Sequence, residues 1–194
     1  SRGLVGSEMC IRDRLIFPGS FNPLHEGHLK MKELAEKKTG MHTTFEICAK
    51  NADKPPLTFF EIKRTIDQFQ NDESWMLTSA GRFSEKVEMF PNSVFIIGAD
   101  TLLRVFDEKF YKSHKDMMEH IERFNDHNIN FLVFGRKVNN KFISLDKIKV
   151  PEIIKSRCTG FEEASFRDDI SSTELRLIKD CLLYTSDAAD DGVG

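Results

Sequence analysis

Short runs of consecutive apolar residues alternate along this chain with segments in which apolar residues recur every three or four positions. The strand candidates are Leu15-Ile-Phe17, Phe45-Glu-Ile-Cys-Ala49, Trp75-Met-Leu-Thr78, Val94-Phe-Ile-Ile97 and Phe131-Leu-Val-Phe134, of which Val94–Ile97 is continuously apolar and the second is interrupted by Glu46. A continuous apolar run is the pattern of a strand buried on both faces of a parallel sheet. Between the runs, Leu29, Met31, Leu34 and Ala35 predict a helix beginning near His28 and stopped by Gly40. Thr58 and Glu61 have capping-box spacing, with Ile62, Ile66 and Phe69 as the buried face behind them. Further helices are predicted over Phe83–Phe90 and Thr101–Phe106, around Met117, Met118, Ile121 and Phe124, and from near Ser172 through Leu175, Leu177 and Ile178. Residues 136–160 are poorly periodic, with weak strand patterns at Phe142–Leu145 and near Val150. Strands alternating with helices through short loops predict an α/β fold, a single open parallel sheet with helices on both faces. No internal repeat, low-complexity tract or second-domain linker interrupts it.

Candidate chemistry concentrates where the first apolar run ends. Leu15–Met31 reads LIFPGSFNPLHEGHLKM: a buried strand, a loop with two glycines and two prolines, and a helix start. A glycine there lets backbone approach a ligand closely. The helix N-terminus behind it offers unpaired N–H groups and a positive dipole end, a seat for phosphate. His25 and His28 add donors that are neutral or cationic near pH 7. As a pair they read either as loop histidines satisfied by hydrogen bonds, as metal ligands, or as phosphate donors. Zinc would need further ligands at readable spacing, so no metal site is assigned.

Composition narrows the partners. The chain has 194 residues, enough for one domain with a proper core, and a net charge of −3 with both signs scattered. That balance argues against a broad nucleic-acid or membrane surface but not against a local phosphate pocket. No apolar run reaches the length of a membrane span, and no signal-peptide pattern opens the chain. The four cysteines (10, 48, 158 and 181) form no CxxC pair and read as free thiols in a reducing, cytoplasmic setting. The two ends, 1–13 and 181–194, resemble translated adapter read-through and are expected to be non-native, leaving a domain over 14–180.

Three motifs in order carry a resemblance. Gly19-Ser20-Phe21-Asn-Pro-Leu-His25-Glu-Gly27-His28 resembles the GxFxPxHxGH signature of the HxGH nucleotidyltransferases. Asp169-Ile-Ser171-Ser172-Thr173-Glu-Leu-Arg176 resembles that superfamily's ISSTxIR motif. Phe95-Ile-Ile-Gly98-Ala-Asp100-Thr101 is similar to the GAD strand of the nicotinamide and nicotinate mononucleotide adenylyltransferases, and the whole is closer to a eukaryotic cytidylyltransferase-like branch. The resemblance implies a Rossmann-like sheet of the nucleotidyltransferase type. It implies transfer of a nucleoside monophosphate from ATP or CTP to a small phosphate-bearing acceptor, nicotinamide mononucleotide first, with release of pyrophosphate. Phosphopantetheine, phosphocholine-type and glycerol-phosphate acceptors follow, with no nucleic acid or membrane among the partners.

In that reading His25, His28 and Arg176 are catalytic, and Gly19, Ser20, Phe21, Gly27, Ser171, Ser172 and Thr173 bind the nucleotide. Lys54, Gly98, Asp100 and Thr101 face the acceptor. Mg²⁺ accompanies the triphosphate, held by phosphate oxygens and water. Plainer readings stand beside these. Ser171–Thr173 can serve only as a helix cap, Gly98–Asp100 only as a turn, and Lys54 as a solvated loop charge. Trp75 and Phe83 read as core rather than as a stacking platform, and Lys63, Arg64 and Lys86 as solvated faces. The rival functions are an ATP-binding or ATP-hydrolysing protein that has lost transfer, and a purely structural interaction domain.

Overall fold

The computed structural model describes residues 14–50 and 55–161. In chain order these form β1 (Arg14–Gly19), α1 (Glu26–Thr39), β2 (Thr43–Cys48), α2 (Phe59–Ile66), β3 (Ser74–Thr78), α3 (Phe83–Met89) and β4 (Ser93–Gly98). They continue through α4 (Ala99–Val105), α5 (His114–Asp126), β5 (Asn130–Phe134), β6 (Arg136–Val138), β7 (Lys141–Ile143), α6 (Glu152–Lys155) and β8 (Cys158–Phe161). Six strands make one parallel sheet in the order β3-β2-β1-β4-β5-β8. The chain winds outward from β1 to β3, returns to the centre at β4 and winds the other way. The reversal leaves a crevice beyond the carboxyl ends of β1 and β4, where open α/β sheets bind ligands.

Strand alternation divides the apolar runs between two cores. Leu15, Phe17, Phe45, Ile47, Val94 and Ile96 face α1, which contributes Met31 and Ala35. Ile16, Phe95, Ile97, Phe131 and Val133 face the other way, against Val87 of α3, Leu102 of α4, Ile121 and Phe124 of α5, and Ile154 of α6. The expected doubly covered parallel sheet is therefore the fold. Among the described residues, no helix is long and apolar enough to cross a membrane.

Local signals resolve as their chemistry dictates. Gly40 closes α1 with φ 72°, its N–H donating to the Glu36 carbonyl. Thr58 and Glu61 form the expected reciprocal cap: Thr58 N donates to Glu61 Oε2 at 2.7 Å, and Glu61 N to Thr58 Oγ1 at 3.3 Å.

Several expectations need correction. α1 begins at Glu26, not near His28, because His25 itself caps it. Leu29 is 40% exposed and lies off the buried stripe. Trp75 is 42% exposed because β3 is an edge strand whose outer part is not covered. Lys86 is buried, as described below. The weak pattern at Phe142–Leu145 is β7, which pairs antiparallel with β6 as a separate hairpin. Its turn residues Asn139 and Asn140 have φ 49° and 63°, the pair of left-handed residues that a tight hairpin requires. No strand forms near Val150; among the described residues the last strand of the sheet is β8, four residues with too little alternation to show in sequence.

Candidate active site

The loop from β1 to α1 is built on an aromatic floor. Phe21 is fully buried at φ 44°, a left-handed conformation that costs a bulky residue of order 1–3 kcal/mol. Its ring meets Phe17, Phe45, Phe69 and His28 edge to face, at centroid separations of 5.3, 5.0, 5.9 and 5.1 Å. Gly19 permits this: a Cβ there would stand 2.7 Å from the Phe21 ring. Ser20, beside it, is exposed at the strand end.

Gln68, just beyond α2, clamps the same loop from outside. Its Nε2 donates to the Phe21 carbonyl at 2.7 Å, and its Oε1 accepts from Leu24 N at 2.8 Å. Arg64 adds a bond from Nη2 to Asn22 Oδ1 at 3.0 Å. Gln68 carried no signal in sequence. A primary amide offers a donor and an acceptor side by side, so it satisfies a carbonyl and an N–H together.

The loop ends in two coupled imidazoles. His25 Nδ1 accepts from Gly27 N at 3.1 Å, and His28 Nδ1 accepts from His25 N at 3.2 Å. The rings stack with centroids 3.7 Å apart. With each Nδ1 occupied as an acceptor, the neutral tautomer carries its proton on Nε2. Burial, then the neighbouring His25 and Arg136, push the pKa of His28 down to about 3. His28 is thus a neutral hydrogen-bond donor near pH 7, which removes the cationic option left open by sequence. The capping geometry and the donor role are compatible, since the cap uses Nδ1 only.

Across the crevice, β4 ends at Gly98 and α4 starts at Ala99 with Gly98 as its N-cap. The Asp100 carboxylate folds back over the strand end; a Cβ at Gly98 would meet its Oδ1 at 2.6 Å. Asp100 Oδ2 accepts from Arg136 Nη1 at 3.0 Å, and Thr101 follows half-buried on α4. Arg136 opens β6 immediately after β5, so it stands at the carboxyl edge beside Gly98, which is in register with Phe134. It was missed in sequence, although a basic residue directly after a buried strand and a glycine is the signal that could have found it.

A second missed group lies beneath the carboxyl ends of β2 and β3. Glu46 is fully buried and accepts from Lys86 Nζ at 2.8 and 2.7 Å and from Thr78 Oγ1. Lys86, expected on a solvated face, is turned inward because the carboxylate in the interior of β2 requires a counter-charge. A glutamate set in an otherwise apolar inner strand was the available signal.

The structure therefore brings together Gly19, Ser20, Phe21, Gly27, His25 and His28 on one side of the crevice and Gly98, Asp100 and Thr101 on the other. Lys54, Ser171, Ser172, Thr173 and Arg176 lie outside the described residues. A cavity of about 1250 Å³ lies elsewhere, between α5, α6 and β8 and bordered by Met117, Met118, Ile148 and Phe161; no candidate residue among the described ones lines it.

A doubly wound sheet with a capped helix, paired imidazoles and a carboxylate at its switch point has its polar groups where open α/β sheets of this class take their ligands. Residues 16–178 match the cytidylyltransferase-like family, and the chain belongs to it. The resemblance to the HxGH nucleotidyltransferases is thereby borne out. No curated protein matches the chain significantly. Among solved structures, a Plasmodium falciparum nicotinic acid mononucleotide adenylyltransferase complexed with NaAD is 18% identical. The match covers 86% of this chain and 83% of the other, with a TM-score of 0.44.

Proposed function

We propose that this chain transfers a nucleoside monophosphate from ATP to a small phosphate-bearing acceptor, with nicotinamide mononucleotide the first candidate. The observation that carries the reading is the locked pair of imidazoles at the switch point, each with Nδ1 engaged by backbone N–H. An oxygen of the acceptor phosphate attacks the α-phosphorus as an anion, so no general base is needed. The bond from the α-phosphorus to the bridging oxygen breaks, and its electron pair leaves with pyrophosphate. His25 and His28 donate from Nε2 to phosphate oxygens on which charge gathers, with the donors fixed before the substrate arrives. Asp100 accepts from an acceptor hydroxyl, and Ser171, Ser172, Thr173 and Arg176 complete the cradle for the outer phosphates. Lys54 reaches an acceptor phosphate. Among the described residues no group of three or more His, Cys, Asp and Glu side chains stands together. Mg²⁺ accompanying the triphosphate would be held by phosphate oxygens and water and would neutralise their charge.

The test is magnesium-dependent pyrophosphate release from ATP and from CTP, against a panel of acceptors led by nicotinamide mononucleotide, with His28→Ala alongside. Release that needs one acceptor and collapses in the variant supports transfer and names the substrate. Phosphate release without acceptor supports hydrolysis instead. Absence of acceptor-dependent release with intact ATP binding overturns transfer for that panel.

A further inference from the structure

We infer that Arg136 is a triphosphate-binding cation of this site, held on Asp100 in the free protein and drawn off it when the triphosphate binds. The inference deepens the proposed function and rests on it for the identity of the ligand.

The argument begins with charge. His28 is neutral at physiological pH, so it supplies a hydrogen bond but no positive charge. A polyphosphate desolvated in the crevice requires counter-charge, and a helix N-terminus with a neutral His28 supplies only partial charge. Arg136 stands close enough to disfavour protonation of His28. Its guanidinium therefore belongs to the same electrostatic pocket as the imidazoles, although it comes from the far side of the sheet.

Position supports the same assignment. Arg136 follows Gly135 at the end of β5, where the chain turns sharply into the β6–β7 hairpin. A Cβ at Gly135 would stand 2.4 Å from Phe142 Cζ and 3.1 Å from the Ile143 carbonyl oxygen, so the turn fixes where Arg136 emerges. The residue is partly open, with 38% of its side chain exposed. It makes one hydrogen bond among the described residues, to Asp100. A guanidinium has five N–H donors in a planar fork suited to two phosphate oxygens, and one bond leaves most of that capacity unused.

Asp100 then has two partners in turn. While the crevice is free of substrate it holds Arg136 at 3.0 Å and keeps the guanidinium beside the strand end. A triphosphate carries more negative charge than one carboxylate and competes for the fork. The exchange releases the Asp100 carboxylate to accept from an acceptor hydroxyl. One ion pair so links the two substrates, and each lowers the cost of binding the other.

The experiment measures ATP affinity by calorimetry in the presence of magnesium. It compares the full chain with Arg136→Ala, Arg136→Lys, Asp100→Asn and the Arg136→Ala/Asp100→Asn double variant, each checked for folding by thermal melt. Arg136→Ala is expected to weaken ATP binding about 10- to 100-fold, the range for a lost hydrogen bond to a charged group. Arg136→Lys recovers part of the loss, since it keeps the charge without the fork. The Arg136→Ala penalty is larger in the Asp100→Asn background, where no carboxylate competes. An Arg136→Ala affinity within about twofold of the parent overturns the contact, given the size expected of it. An equal penalty in both backgrounds overturns the exchange. Pyrophosphate release measured on the same samples keeps the two claims apart. A parent protein that binds ATP through Arg136 without transfer refutes the proposed function and leaves this inference standing. A parent that transfers while Arg136→Ala binds ATP normally does the reverse.

Discussion

Replacing Lys86 with Met tests whether the buried ion pair organises the fold as its geometry implies. Lys86 Nζ lies 2.8 and 2.7 Å from the two oxygens of Glu46, and Glu46 is 0% exposed. Met fills the volume of the lysine stem but leaves the carboxylate with Thr78 as its remaining polar partner. A buried charge stripped of its partner costs about 3–5 kcal/mol, a large share of the ~5–15 kcal/mol that holds a domain together. Glu46→Leu should cost less, because the freed ammonium can reach water along its flexible stem whereas a carboxylate in mid-sheet cannot move. The double variant Glu46→Leu/Lys86→Met removes both charges and should return to within about 1–2 kcal/mol of the parent, or exceed it. Urea unfolding of all four proteins closes the cycle. With a slope of roughly 2 kcal/mol per molar urea, Lys86→Met should lower the midpoint by about 1.5–2.5 M. A midpoint within about 0.3 M of the parent, or a double variant as unstable as the sum of the singles, would refute the reasoning.

Two further outcomes follow from the β1–α1 loop. His28, with its pKa depressed from 6.5 to about 3, should show the Nε2–H tautomer and no titration between about pH 5 and pH 8 by ring ¹⁵N NMR. The unfolded chain takes up the proton that the folded ring refuses. The stability from His28 is therefore complete above pH 6.5 and is lost as pH falls from there toward 3, by roughly 1.4 kcal/mol per unit at most; a ring that titrates near neutrality would contradict this. Gln68→Glu and Gln68→Met each remove the donor to the Phe21 carbonyl, and Met also removes the acceptor for Leu24 N. Acceptor-dependent turnover should fall by about fivefold in Glu and further in Met, with KM for the acceptor little changed, because each hydrogen bond is worth about 1 kcal/mol. Equal turnover in all three proteins would show that the loop holds its shape without the clamp.

The sheet was legible because its strands are buried on both faces, and burial on both faces writes itself as unbroken apolar runs. Val94–Ile97 and Phe131–Phe134 are inner strands of the sheet, and both were readable from their unbroken apolar runs. β8 was not readable: an edge strand needs no continuous apolar run, and Thr159 and Gly160 break the pattern. The hairpin was half-readable, since Asn139-Asn140 is the turn chemistry that a two-residue connection demands. In the candidate site the histidines, the glycines and Asp100 were visible as a motif, because each is tied to its neighbours in sequence. Arg136, Gln68 and the Glu46–Lys86 pair were not. Their partners lie 36, 47 and 40 residues away, and no local spacing encodes a contact of that reach.

That division follows from how such a site has to be made. The groups that touch a ligand can be grouped in one loop, and the loop can be recognised. What holds the loop in a costly shape must come from elsewhere in the fold. Phe21 in a left-handed backbone, two stacked imidazoles and a carboxylate folded onto its own strand end are each unfavourable alone. Two of the three are held from a distance, the ring of Phe21 by Phe45 and Phe69 with its carbonyl on Gln68, and Asp100 by Arg136; the imidazoles are fixed locally through their Nδ1 atoms. Residues that break a local rule and are rescued from a distance are where sequence reasoning fails, and Phe21 and Asp100 at the switch point are two of them. Left-handed residues also stand before β4 and β5, Asn92 and Asn128, but asparagine adopts that backbone readily and the two bond each other at 3.0 Å; Phe21, a bulky ring in the same conformation, stands at the carboxyl end of β1 beside the crevice.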